Sequence, residues 1–348
     1  MNRSDKLLAR TFVFFAIASS LALAQTYPVT QGKSYKFEKV AEGVYYASGG
    51  AGSNNVVIVN DDDVLIVDNG VTPAAARAFL ADIKLLTPKP VRTVINTHFH
   101  YDHTGGNEIF GPEVQIIGHE FVRKAISDPD VFKKEPYKTA AAVRYPGEVA
   151  AAQKELAAEK DPAKRAALQK QLTVAQETVN GLKTMKAVPP NKVYDSKLVL
   201  HKGKREIDLL FLGRGHTQGD TFVYLPQEKI VCTGDEDEGT RLAYMGDALF
   251  DEWVTTLEKL KQVDFRLALP GHGVPFSDKS IITAQQDYLK DIVPKAAALR
   301  KQGVSAEDAA KKIDMTNHVK VFTEIKGPGA EVRGMRHLYD WLAEREKK

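Results

Sequence analysis

Residues 97–106 read Thr97-His98-Phe99-His100-Tyr101-Asp102-His103-Thr104-Gly105-Gly106, with three imidazoles and a carboxylate inside six positions. Imidazole and carboxylate together suit a divalent cation such as zinc. The preceding run, residues 91–96 (VRTVIN), reads as a buried strand, so the motif stands where a strand hands over to a loop. In extended backbone, residues two apart project the same way. His98 and His100 can therefore converge on one ion while the turn beyond aims Asp102 and His103 at another. Gly105 and Gly106 allow that turn to be tight.

One short loop cannot close two coordination spheres, so further ligands are expected elsewhere. Gly215-His216-Thr217 with Gly219-Asp220, Thr233-Gly234-Asp235, and Pro270-Gly271-His272-Gly273 each follow a strand-like run and set an imidazole or carboxylate beside glycine. Five of the nine histidines lie in these loops, which a random scatter would not give. The remaining four read differently. His119 is expected to be a hydrogen-bonded structural residue, and His201, His318 and His337 surface or packing residues. The lone Cys232 sits mid-strand and reads as core. For Arg214 a salt bridge and a contact to a substrate anion are both open, and Asn54 or Asn55 in the Gly-rich stretch 49–55 could donate to an oxyanion or form a plain hairpin turn.

Working outward, residues 35–46 and 55–67 read as hairpin strands, 73–86 as a helix entered through Pro73, and residues 209–212, 221–225, 229–232 and 265–269 as further strands around a helix at 251–263. Two halves that each mix strands with helices predict a layered α/β sandwich. Between them, residues 149–185 are rich in Ala, Lys, Glu and Gln, with Asp161-Pro162 placed as an N-cap and first helical residue, so a helical hairpin is predicted. Leu168, Leu172, Ala175, Val179 and Leu182 form its seam, read as packing onto its own domain. Residues 279–348 read as closing helices interrupted by Gly327-Pro328-Gly329.

The chain has 348 residues, 43% hydrophobic and 27% charged, within the globular range. Its formal net charge is +3, much of it from Arg3, Lys6 and Arg10 near the start. A balance so near neutral gives no electrostatic footprint for nucleic acid or an anionic membrane, and a small-molecule substrate fits better. Residues 1–24 have the layout of a cleavable signal peptide: basic residues, an apolar run over 11–24, and Ala22-Leu23-Ala24 before Gln25. That run is shorter than the ~20 residues that span a bilayer. The expectation is a periplasmic or secreted protein comprising residues 25–348, with no stable membrane insertion after cleavage.

The order His-x-His-x-Asp-His, Gly-His-Thr, Gly-Asp, Gly-His resembles the metallo-β-lactamase superfamily from about residue 35 to 276. The resemblance implies an αββα four-layer sandwich, here with an inserted helical hairpin. It implies one metal on His98, His100 and His216, a second on Asp102, His103 and His272, and Asp235 bridging them, with Asp68 supporting the loop. Two zinc ions are expected, iron or manganese being the alternatives. The ligand set is most similar to hydroxyacylglutathione hydrolases and generic binuclear zinc hydrolases of the superfamily. A lysine that grips substrate in one β-lactamase subclass is replaced here by Glu238, which counts against β-lactams.

The activity this resemblance implies is hydrolysis of an ester, thioester, lactone or β-lactam. Two cations ~3.5–4 Å apart would bring the pKa of a shared water from 15.7 toward ~7, with Asp102 orienting the resulting nucleophile. Oxidoreductase chemistry of the sulfur dioxygenase kind is the alternative. A non-catalytic module stapled by metal is a third reading, disfavoured because structural zinc sites are usually closed and cysteine-rich.

Overall fold

The structure is a computed structural model that describes residues 27–347; the leader predicted over residues 1–24 lies outside the described residues. Eight strands form the first sheet in sequence order: β1 Val29–Gln31, β2 Lys36–Ala41, β3 Val44–Ser48, β4 Asn55–Val59, β5 Val64–Val67, β6 Val91–Ile95, β7 Gln115–His119 and β8 Lys192–Tyr194. The second sheet runs β9 Lys197–Lys202, β10 Arg205–Leu210, β11 Phe222–Leu225, β12 Ile230–Gly234 and β13 Leu267–Pro270, again in order. Pairing is antiparallel up to β5 and up to β12; β5–β6–β7–β8 and β12–β13 are parallel.

The helices are α1 Pro73–Ile83, α2 Tyr101–Thr104, α3 Glu120–Ile126, α4 Tyr137–Thr139, α5 Tyr145–Ala158, α6 Pro162–Thr184, α7 Phe250–Gln262, α8 Ser280–Lys301, α9 Ala306–Lys312 and α10 Val332–Arg345. Strands β4, β5, β12 and β13 are buried on both faces, which is why they read as near-continuous apolar runs, whereas β1 and β9 at the sheet edges do not. Alternation decides the layers. On β4, Val56 and Ile58 join Leu209, Val223 and Cys232 of the other sheet in the central core, while Val57 faces outward onto Phe79 and Ile83 of α1. The outer face of the second sheet packs Phe222 and Val231 against Trp253 and Leu257 of α7, Leu289 of α8 and Leu338 of α10. The order is helix, sheet, sheet, helix, the sandwich expected from the sequence.

The predicted helical hairpin is α5 and α6. Asp161 accepts a hydrogen bond from the Lys164 N–H and Pro162 opens α6, as its residue types dictate. Of the predicted seam, Leu172 and Leu182 are buried and Leu168, Ala175 and Val179 half-buried. A π-turn at residues 140–144 leads into α5, an irregularity that often marks a functional segment.

Candidate metal centre

The predicted ligands come from the segments that follow strands β6, β10, β12 and β13, Asp102 and His103 lying in the short helix α2. Where strands run parallel their carboxyl ends lie side by side, and crevices beyond those ends are the usual place for sites. His98 and His100 follow β6, Asp235 follows β12 and His272 follows β13; His216 comes from the loop between β10 and β11. Two groups form. His98, His100, His216 and Asp235 offer donor atoms within 4.8 Å of one another, and Asp102, His103 and His272 do the same.

Donor atoms around a tetrahedral ion with 2.0–2.1 Å bonds stand about 3.3 Å apart. Here His100 Nδ1 and His216 Nε2 are 3.2 Å apart, and Asp102 Oδ2 and His272 Nε2 also 3.2 Å. Asp235 Oδ2 lies 3.3 Å from His103 Nε2, 3.6 Å from His272 Nε2, 3.8 Å from His98 Nε2 and 3.9 Å from His216 Nε2, so it belongs to both groups. His98 Nε2, His103 Nε2 and Asp235 Oδ1 are buried without hydrogen-bond partners, an expensive state that cations would relieve. A Cβ at Gly271 would fall 2.3 Å from Asp235 Oδ1, so only glycine lets that backbone pass. The residues fit a pair of divalent cations.

Surrounding groups fix the imidazoles. Asp68 accepts hydrogen bonds at Oδ2 from His103 Nδ1 (2.8 Å) and from Thr97 Oγ1, and at Oδ1 from Thr97 N–H. It does so in left-handed backbone (φ 58°), a conformation costly for a non-glycine residue and often found at working sites. Asp247 holds His100 Nε2 at 3.0 Å, and Thr97 Oγ1 faces His98 Nδ1 at 3.0 Å. Glu236, fully buried, accepts the His216 N–H, and Asp220 accepts both the N–H and the hydroxyl of Thr217. Asp220 thus shapes the loop without joining either donor group. Burial and the neighbouring Asp220 raise Glu236 well above the usual carboxyl range.

Burial and the His100 imidazole hold His216 down at about 3, and burial with His103 and His100 depresses His98. Burial also opposes charge on His103, but Asp235, Asp68 and Asp102 outweigh it and raise that imidazole well above its ordinary value. His272 is raised to about 9: burial opposes, while Asp235 and Asp102 prevail. Cation binding must therefore displace protons from His103 and His272. Affinity for zinc should rise with pH from neutrality toward about 9, with proton release on binding. Titration calorimetry in buffers of different ionisation heat reads both; pH-independent affinity would contradict it.

His100, Asp102, Asp235 and His272 reach the floor of a cleft of about 810 Å³, with His98, His103 and His216 fully buried beneath them. Arg144, Arg241, Lys326 and Arg333 line its walls, with Tyr244, whose ring meets His100 at 5.7 Å and carries the Arg333 guanidinium at 4.6 Å. The sequence pointed to none of these, nor to Asp247 or Glu236, because an isolated Arg or Asp carries no spacing signal. His119 is the hydrogen-bonded residue expected, and Arg214 and Asn54, left open in the sequence, make structural contacts. His119 Nε2 bonds the Asp195 carbonyl and its Nδ1 caps α3. Arg214 forms a two-point salt bridge with Glu252. Asn54 donates from its N–H and side chain to Gly271 and Gly273 carbonyls, bracing the His272 loop, and Asn55 is buried. Cys232 is buried between the sheets, and burial raises its thiol far above the usual range.

Two helix-flanked sheets with clustered imidazole and carboxylate at their strand ends define a metal-site sandwich protein. The family model described as metallo-beta-lactamase superfamily matches residues 48–272. The chain belongs to the metallo-beta-lactamase superfamily, whose matched members include hydrolases. It is 21% identical over 274 residues to the linear primary-alkylsulfatase of Pseudomonas sp. (strain ATCC 19151), covering 74% of this chain and 49% of that protein. It is 31% identical over 93 residues to a metallo-beta-lactamase type 2 of Bacillus sp. (strain 170), covering 25% of this chain and 36% of that one. Among solved structures, the stereoselective inverting sec-alkylsulfatase Pisa1 from Pseudomonas sp. is similar in fold, with TM-score 0.62 at 16% identity, over 88% of this chain and 50% of that one. The chain spans about half the length of these alkylsulfatases.

Proposed function

We propose that the protein is a hydrolase carrying two divalent cations, zinc foremost, that cleaves the ester bond of a small anionic molecule, with sulfate esters of alcohols as the leading class. The observation that carries the reading is the meeting of seven side chains in two adjoining donor groups, four of the seven (His100, Asp102, Asp235 and His272) opening onto one cleft. His98, His100 and His216 would hold one cation, Asp102, His103 and His272 the other, and Asp235 both. Such cations, when bound, acidify water and stabilise negative charge on a substrate. Water then supplies the hydroxyl and proton, and a sulfate ester yields an alcohol and hydrogen sulfate.

The chain's own residues do the rest. Asp102 faces His272 with one oxygen, which leaves the other to accept a hydrogen bond from the attacking water and set its direction. Arg144, Arg241, Lys326 and Arg333 attract and hold the anion; Arg144 and Arg241, half-exposed, would exchange their present partners Glu148 and Glu238 for it. Among the described residues no serine, threonine or cysteine lines the cleft, in keeping with direct attack by water. Sulfate esters lead because sequence similarity to the alkylsulfatase runs through 74% of the chain against 25% for the β-lactamase, and because the alkylsulfatase fold matches 88% of the chain at TM-score 0.62 where a β-lactamase fold matches 76% at 0.51. Carboxylic esters, thioesters, lactones and β-lactams remain members of the test panel. We further propose export: residues 1–24 carry the leader pattern, and among the described residues no helix is long and apolar enough to cross a membrane.

The test is to express the full chain, sequence the mature N-terminus, load zinc, and assay that panel with metal analysis. Sulfate ester turnover with about two metals per chain is expected. Asp102→Ala should lose about one metal and most activity, on the order of a hundredfold or more in kcat. Iron with oxygen uptake, or two bound zinc ions with no turnover of any ester, would overturn the hydrolase reading.

A further inference from the structure

Behind the metal cleft lies a second groove of about 610 Å³, built where the helical hairpin crosses α1. Its floor is made of small apolar side chains: Ala74, Ala75 and Ala78 of α1 face Ala167, Val174 and Ala175 of α6. Gly181 rests against Thr72, where an added Cβ would come within 2.8 Å, so α6 is pinned at the start of α1. Beyond the pin both helices carry residues too short to close the gap. Val174 keeps 40% of its surface exposed, and the buried Tyr35 hydroxyl in the groove wall has no partner.

The groove adjoins the cleft. Gly52 and Arg144 line both, and Gly52 lies against Asp102, where a Cβ would stand 2.8 Å from the Asp102 carbonyl. Arg144 ends the π-turn, with its guanidinium over the Tyr145 ring at 5.1 Å and its side chain about half exposed. The Arg144–Glu148 ion pair (3.2 Å) thus stands at the junction between the arginine-walled cleft and the alanines of the groove, and an anionic head would take the place of Glu148 on Arg144.

We propose that this groove is the subsite for an unbranched alkyl tail, so that the substrate is an anionic amphiphile whose head lies over the donor groups and whose tail runs past Gly52 and Arg144 between α1 and α6. The proposal rests on the reading of the cleft as the place for an anionic ester. Its occupant follows from continuity with that cleft, from the apolar floor, and from Arg144, which suits the polar end of a chain and not its middle. Lys170, Gln171, Glu148 and Glu177 also line the groove and leave the tail's outer edge wet, the two carboxylates keeping the anionic head at the cleft end.

The test uses alkanesulfonates of four to twelve carbons, below their micelle concentrations, titrated into the zinc-loaded protein by calorimetry; they carry the anionic head and tail but no cleavable ester. Affinity should rise about two- to fourfold per methylene until the groove is filled. Ala175→Trp and Ala78→Phe, which fill the groove from opposite walls, should abolish that gain and leave butanesulfonate binding and metal content unchanged. Affinity flat with chain length in a protein that binds butanesulfonate, or a gain that persists in both folded variants, would overturn the proposal. Hydrolysis is scored separately. Ester turnover without chain-length preference in binding removes the tail subsite alone, whereas chain-length-dependent binding with no turnover of any ester removes the hydrolase reading and keeps the groove as a binding site.

Discussion

Asp235→Ala is expected to leave at most one metal per chain and to lower kcat/KM by at least about a thousandfold, beyond the loss seen when a single transition-state donor is removed. Asp235 is the one residue whose carboxylate lies between the two donor groups, with four imidazole nitrogens within 3.9 Å of Oδ2. Without it five imidazoles and the single carboxylate of Asp102 would face two cations, with no negative group between them. Asp235→Asn keeps the shape and removes the charge, so it should fold as well as the parent and still lose metal. Metal analysis beside steady-state kinetics checks both variants. Two retained metals with activity within tenfold of the parent would count against the bridging role.

The largest effect on stability is expected at Trp253. It is fully buried in the layer between the second sheet and its helices, its Nε1 donates to the Glu236 carbonyl at 3.0 Å, and its ring lies 5.6 Å from that of His216. Trp253→Ala should destabilise the fold by about 3–5 kcal/mol, from lost burial and the void left behind. It should also weaken cation binding, since the His216 loop and the Glu236 strand end both lean on that ring. Trp253→Phe keeps most of the packing and separates out the hydrogen bond, worth about 1 kcal/mol. Urea unfolding of the metal-free protein reads the difference; a loss below about 1 kcal/mol for the alanine variant would show that the layer repacks.

Much of the site was legible because metal chemistry demands particular residue types at strand ends. His98 to His103 declare themselves by density, and His216, Asp235 and His272 by glycine beside a lone ligand after an apolar run. Spacing separated His98 and His100 from Asp102 and His103, but the allocation of His216, Asp235 and His272 to the two groups came from the family resemblance. The hairpin was legible through Asp161-Pro162 and a helical seam. Strand β9 was not, because Lys197–Lys202 alternates without a strongly apolar face, half-buried at the sheet's edge. The cleft walls were illegible for another reason. Arg144, Arg241, Lys326 and Arg333 come to one cleft only through the tertiary packing, and in sequence each arginine stands two to four residues from a glutamate, Glu148, Glu238 or Glu331, which reads as an ordinary solvated ion pair.

Strand-end placement also bears on how the molecule assembles. The donors span residues 98 to 272, and those of each group come from both sheets, so neither group exists until the halves of the chain have docked face to face. Pairings this distant in sequence close late, after local hairpins and helices have formed. Zinc capture should therefore act as a latch on a finished sandwich and not as a seed for it, and the rate of tight uptake by refolding chains should track the slowest step of sheet docking.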